Sequence, residues 1–251
     1  EAIEKGAMPG CRVLAVHRGR VVHDGSYGTT DGTTPVNAAA VYDLASITKV
    51  AASSLCLMAL EEDGLLSRND KLSDHLPDLR GTELGDRRLE DVLAHRSGLK
   101  AWIPFYLEAM ENPEAFVNEP DASHSTQVAD NLYILDSYRD TMLAEIKRAP
   151  IDPVGTHRYS DLGYYELLRI VEGLSGQQLD EFVTGRFYTP MGLERIGFNP
   201  LKWAEFEEIA PTEVDQVFRE QTVHGHVHDP GAAMLGGVAG HAGLFSDAYD
   251  L

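Results

Sequence analysis

From Val50 to Leu60 the chain carries no charged residue. Across a helix predicted from about Ser46 to Asp63 and stopped by Gly64, the apolar residues Ile47, Val50, Ala51, Leu55, Leu57, Met58 and Leu60 cover more than one face. A helix of that kind has to be enclosed, so any fold open to this chain must wrap a core around the segment. Lys49 is the exception inside it, and an amine at the start of a buried helix needs a partner or a task.

The material for such a core is present. At 251 residues, 43% hydrophobic and 24% charged, the chain has the composition of a globular protein with one sizeable domain or two small ones. Ahead of the helix, Arg12–His17 and Val21–Gly28 read as two strands joined by an Arg18-Gly19-Arg20 turn, part of an antiparallel sheet. Behind it, helices are expected at Leu89–His95, Ala129–Arg148, Leu162–Leu174 and Gln178–Tyr188, with Pro and Gly clusters between them. Residues 111–128 are polar and contain Pro, as in an exposed loop or lid. Together these readings predict an α+β fold with an antiparallel sheet flanked by helices and a mostly helical middle region. Cys11 and Cys56 lie in apolar surroundings without C-x-x-C spacing and are expected as free thiols.

Forty acidic against 21 basic residues give a formal charge of −19, which repels polyanions and argues against nucleic-acid binding. No stretch approaches the roughly 20 apolar residues needed to cross a bilayer. The chain opens at Glu1-Ala2-Ile3 with neither Met nor leader, as expected of a processed chain.

Ser46-Ile47-Thr48-Lys49 places a hydroxyl and an amine three positions apart at a helix start, where they share a face. The N-terminus also favours developing negative charge. A serine needs an adjacent proton acceptor to act as a nucleophile, and S-x-x-K supplies a partner for it. The plainer alternative is that Ser46 caps the helix while Lys49 reaches outward. Tyr159-Ser160-Asp161 then puts a phenol and a carboxylate at the junction between a Pro150/Pro153/Gly155 loop and a helix, where by itself it reads as a cap.

The two elements in this order resemble the first two signatures of the penicillin-recognising serine enzymes, that is, penicillin-binding proteins and class C β-lactamases with their esterase relatives. The blocks Tyr42–Lys49, Asp91–Leu99, Tyr159–Tyr164 and Gly236–Ser246 extend that resemblance over essentially the whole chain. It implies a β-lactamase/transpeptidase-like fold and a serine hydrolase that needs no cofactor. Ser46 would be acylated by an amide or ester, with Lys49 and Tyr159 moving the proton. Where many relatives have Asn, this chain has Asp161, which favours an ammonium on Lys49, leaves Tyr159 as the base and removes an amide donor from the site. The substrate expected is a peptidoglycan peptide, a β-lactam or an ester, and the location periplasmic, secreted or envelope-attached. Pro104-Phe105-Tyr106 and Val128–Tyr133 resemble a branch often encoded as the tail of larger bacterial proteins with a glycoside hydrolase module, so the chain is expected to be fused to, or completed by, further polypeptide.

The family's third motif, K-T-G or H-x-G, lies on a late strand that lines the site. His241-Ala242-Gly243 has the letters, but its Gly-rich setting fits a buried turn ahead of a late helix. Residues 1–251 are therefore expected to form a single hydrolase domain without its C-terminal strands.

Two other readings come from different classes. Val223-His224-Gly225-His226-Val227-His228-Asp229 alternates imidazoles as a metal-binding strand would. A sensor or binding module could keep the fold and the acylation without turnover. Trp102, Phe105 and Tyr106 could line a cleft in any of these cases.

Overall fold

The computed structural model describes residues 1–251. The N-terminal hairpin forms as its alternation and turn dictate. Strand β1 (Gly10–His17) pairs with β2 (Arg20–Gly28), and Arg18 and Gly19 both take positive φ, 51° and 74°, as a two-residue type I′ turn requires. Val13, Val16, Val21, Val22 and Tyr27 of this hairpin are exposed.

After β3 (Tyr42–Asp43), the expected Ser46–Asp63 helix is irregular at its start. A 3₁₀ turn over Ala45–Ile47 runs into a π turn over Lys49–Ser53, and regular α-helix begins only with α1 (Ser54–Glu62). Local hydrogen bonding accounts for the distortion. The buried Thr48 hydroxyl donates to Ala45 O and accepts from Leu244 N, while Ser53 Oγ donates to Gly240 O at 2.6 Å. Segment 240–244 thus grips the helix from the side over its first turns. Gly64, at φ 72°, ends the helix as expected.

The middle region contains α2 (Leu72–His75), α3 (Leu89–Leu93) and α4 (Phe105–Glu111), then strands β4 (Phe116–Val117), β5 (Thr126–Ala129) and β6 (Leu132–Ile134) and helix α5 (Tyr138–Arg148). Two expectations are corrected here. Residues 111–128 are largely exposed but not all loop, because they contribute β4 and β5 to a three-stranded sheet ordered β4-β6-β5. The helix expected from Ala129 begins only at Tyr138, since Asn131 at φ 51° turns the chain into β6. Asp136 closes that sheet by accepting from the backbone N–H and hydroxyl groups of Ser125 and Thr126.

Helix α6 (Leu162–Ser175) is buried along most of its length and ends at Gly176, φ 71°. It is followed by α7 (Leu179–Val183), a second π turn, α8 (Thr189–Met191), β7 (Ile196–Phe198), β8 (Glu213–Asp215), β9 (Gln221–Val223), α9 (Pro230–Ala233) and β10 (Leu244–Ser246). The antiparallel pairing is spread over four small sheets, β1-β2, β3-β10-β7, β4-β6-β5 and β8-β9, rather than one. A contiguous core that includes Ala52, Cys56, Leu57 and Leu60 of the first helical segment, Leu167, Ile170 and Val171 of α6, and Phe245 of β10 joins the elements. Both cysteines are free, and burial pushes the Cys56 thiol up to about 12. No helix is long and apolar enough to cross a membrane.

Candidate active site

Strand β3 delivers the chain to Ser46. Its pairing with β10, continued by the Leu44 N–H to Leu244 O bond, fixes where the helical run begins. Ala45, at φ 47°, bends the chain just before the serine. Ser46 is left exposed while Lys49 is only 2% exposed.

Buried that deeply, an amine must be paired. Lys49 Nζ donates to Ser46 Oγ at 2.9 Å and to the main-chain oxygen of His241 at 3.0 Å, and lies 2.6 Å from Asp161 Oδ1. It also stands 4.9 Å from the centre of the Tyr159 ring and 5.4 Å from that of Tyr164, within cation–π range of both. The four residues singled out from the sequence, Ser46, Lys49, Tyr159 and Asp161, therefore meet around one ammonium.

Segment 95–101 acts as a template for the Tyr159 turn. Gly98 O accepts from Asp152 N, Arg96 O from Gly155 N, His95 O from Arg158 N and Ala101 O from Asp161 N, at 2.8–3.0 Å. Ser160 is buried, donating its hydroxyl to Lys100 O at 2.6 Å and accepting from Leu162 N. The capping function at the start of α6 falls to Ser160, which frees the Asp161 carboxylate for Lys49.

His241 does not lie on a strand. It sits in the buried loop before β10, with its side chain turned to Asp229 (Nε2 to Oδ1, 2.8 Å) and its ring stacked on Tyr165 at 4.5 Å. Burial raises the Asp229 carboxyl, but His241 and the N–H of Ala232 outweigh that and bring it down to about 2. A cavity of about 30 Å³ next to Asp161 is bounded by Trp102, Tyr106, Tyr165, Asp229 and His241. Trp102 and Tyr106 thus line a recess, whereas Phe105 packs in the core at 4% exposure.

The three alternating histidines diverge. His224 pairs with Ile209 O at 2.6 Å, His226 with Asp130 at 3.0 Å and His228 with Glu213 at 3.4 Å. No group of three or more His, Cys, Asp or Glu side chains is arranged to hold a metal ion, and the three imidazoles do not converge on one point. The sequence reading passed over His95, Asp229 and the His241 carbonyl. His95 carried a signal in the Asp91–Leu99 block, Asp229 at the end of the 223–229 run and His241 in the Gly236–Ser246 block, but none of these showed what the residue would touch.

A family model described as Beta-lactamase matches residues 1–251. An Escherichia coli K12 protein named for D-alanyl-D-alanine carboxypeptidase is 32% identical over 272 aligned positions, covering 97% of this chain and 58% of its own length. The chain thus spans somewhat more than half of the curated relatives it matches. Among solved structures, a class C β-lactamase from Rhodobacter sphaeroides superposes with a TM-score of 0.65 at 20% identity, covering 99% of this chain and 60% of its own. The octameric penicillin-binding protein homologue from Pyrococcus abyssi superposes at 0.68 and 20% identity, covering 99% and 52%. These superpositions show a β-lactamase/transpeptidase-like fold. With the family model matched from end to end, the chain belongs to the Beta-lactamase family.

Proposed function

We propose that the chain carries the nucleophile and proton-transfer half of a serine hydrolase site that opens an amide or ester through an acyl-enzyme. The observation that carries this reading is the buried Lys49 ammonium bonded at once to the exposed Ser46 hydroxyl and to Asp161. Ser46 Oγ attacks the carbonyl carbon, and its proton passes to Tyr159 as the base. The tetrahedral intermediate then expels the leaving nitrogen or oxygen, which takes that proton from Tyr159. Water releases the acyl group by the reverse sequence. Lys49, anchored by Asp161 and His241 O, orients Ser46 Oγ and offsets negative charge beside it.

A D-alanyl peptide of peptidoglycan is the substrate proposed first, because the E. coli relative is named for that activity. A β-lactam or a simple ester is the alternative acyl donor, and an envelope location follows from the peptidoglycan reading. Residues 1–251 act as one hydrolase domain whose sheet is completed by further polypeptide. The exposed, two-stranded β1-β2 hairpin supports this, since two strands alone are marginal scaffolding.

Intact-mass analysis after incubation with a fluorophosphonate and, separately, a penicillin tests the reading, with peptide mapping of any adduct. An adduct on Ser46 supports it, and an adduct on another residue overturns it. Stoichiometric labelling without turnover would instead mark a sensor.

A further inference from the structure

His95 lies under the Tyr159 turn, and nothing in the mechanism above uses it. Its backbone is left-handed, φ 55°, a region that His and Asn enter far more readily than most side chains. From there its imidazole packs against Tyr159, with ring centres 4.3 Å apart, and against Tyr164 at 5.6 Å. Its Nδ1 lies 3.1 Å from Ser160 N, the residue between Tyr159 and Asp161. A backbone N–H can only donate, so this nitrogen must be the bare acceptor of the ring. A proton on it would replace an attraction with two opposed donors.

We propose that His95 is a positioning residue for the site, holding the Tyr159-Ser160-Asp161 turn through its Nδ1 acceptor, so that acylation of Ser46 requires His95 neutral. The inference rests on the reading of Ser46 as nucleophile. The surroundings favour the neutral ring. Burial lowers its proton affinity first, followed by Lys49 and by His157, whose ring stands 6.2 Å away, and Asp161 opposes them. The other charged neighbours are paired elsewhere, Arg158 with Asp152 and Arg96 with Asp91. Protonation therefore falls below the ordinary histidine value of 6.5, and the loss of acylation is expected on the acid side of that pH.

Two substitutions separate this role from simple packing. Asn tolerates the left-handed backbone and can place its oxygen where Nδ1 lies, without titrating between pH 5 and 8, whereas the longer Gln reaches the Nε2 position instead. Fluorophosphonate labelling of Ser46 is followed from pH 5 to pH 8.5 in wild type, His95→Asn and His95→Gln, with melting curves to confirm folding. Wild type is expected to lose labelling through a one-proton step below pH 6.5, at about tenfold per pH unit once past it. His95→Asn is expected to label within about threefold of wild type at pH 8 and to lack that step, and His95→Gln to fall about fivefold or more at all pH, the worth of one hydrogen bond.

An unchanged acid step in His95→Asn, or equal labelling of the two variants at pH 8, overturns the proposal. Labelling on a residue other than Ser46 overturns the nucleophile reading. The NMR arm is independent of labelling. The Ser160 amide resonance is expected to move with the His95 ring titration in unlabelled protein, and an amide indifferent to that titration overturns the positioning role.

Discussion

The Lys49 ammonium stands 2.6 Å from the Asp161 carboxylate and 2.9 Å from Ser46 Oγ. Removing one member of a fully buried pair costs roughly 3–5 kcal/mol, and because Asp161 keeps a quarter of its side chain exposed, about 1–3 kcal/mol is expected for Asp161→Asn. Urea unfolding checks that figure. The same change adds an amide donor to the site, so the ratio of penicillin to ester acylation should rise. An unchanged ratio would mean that the Asp161 side chain does not contact the acyl donor.

Ser46→Ala is expected to abolish acylation. Tyr159→Phe should lower its rate by about 10² or more, the usual scale for a proton-transfer group, and Lys49→Ala by about as much through loss of the ammonium that orients Ser46 Oγ. Labelling time courses separate the three, and near-normal labelling in the serine variant would sink the mechanism.

Gly98 couples the template segment to the loop before Tyr159. At φ 82°, a Cβ there would lie 1.9 Å from Asp152 O, so Gly98→Ala should cost about 3 kcal/mol or more and loosen the Tyr159 turn. Gly64, at φ 72°, meets nothing within 4 Å, and Gly64→Ala should cost only about 1 kcal/mol. Thermal melts of the pair test the contrast.

Stability in acid follows from Asp229. Its carboxyl is held at about 2 against an ordinary 3.8, so its contribution is complete above 3.8 and disappears as pH falls through about 2. With a third of the side chain exposed, the share at stake is about 1–2 kcal/mol. Asp229→Asn should flatten the pH dependence of unfolding between pH 4 and pH 2, and an unchanged slope would refute the assignment.

Zinc at micromolar concentration, or a chelator, should leave the melting temperature unchanged, because His224, His226 and His228 point to three different acceptors. A rise in melting temperature with zinc would contradict that geometry.

The parts legible in the sequence were those set by neighbours along the chain. The hairpin turn at Arg18-Gly19, the Gly64 stop and the S-x-x-K spacing are local, and the structure shows them close to where they were read. The β4-β6-β5 sheet depends on pairing strands of two to four residues across a loop, and strands that short leave little alternation to read. The expected helix from Ala129 to Arg148 lost its first nine residues because a single left-handed residue, Asn131, turns the chain into β6. The partners of Lys49 were legible only in part. Asp161 announced itself beside Tyr159, but a backbone carbonyl such as that of His241 leaves no mark in a sequence.

The π turn over Lys49–Ser53 holds one residue more than a regular helix would need to span the same rise. Since each residue advances a helix by about 100°, a deletion in the regular α1 would rotate Ser46 and Lys49 away from Asp161 by that angle, whereas removing one residue of this turn would let the helix wind regularly with Ser46 and Lys49 still in phase. A one-residue gap in a working relative should therefore fall inside this turn rather than in α1, while the buried Ala52 and Ser53 limit the changes of residue type that the turn accepts.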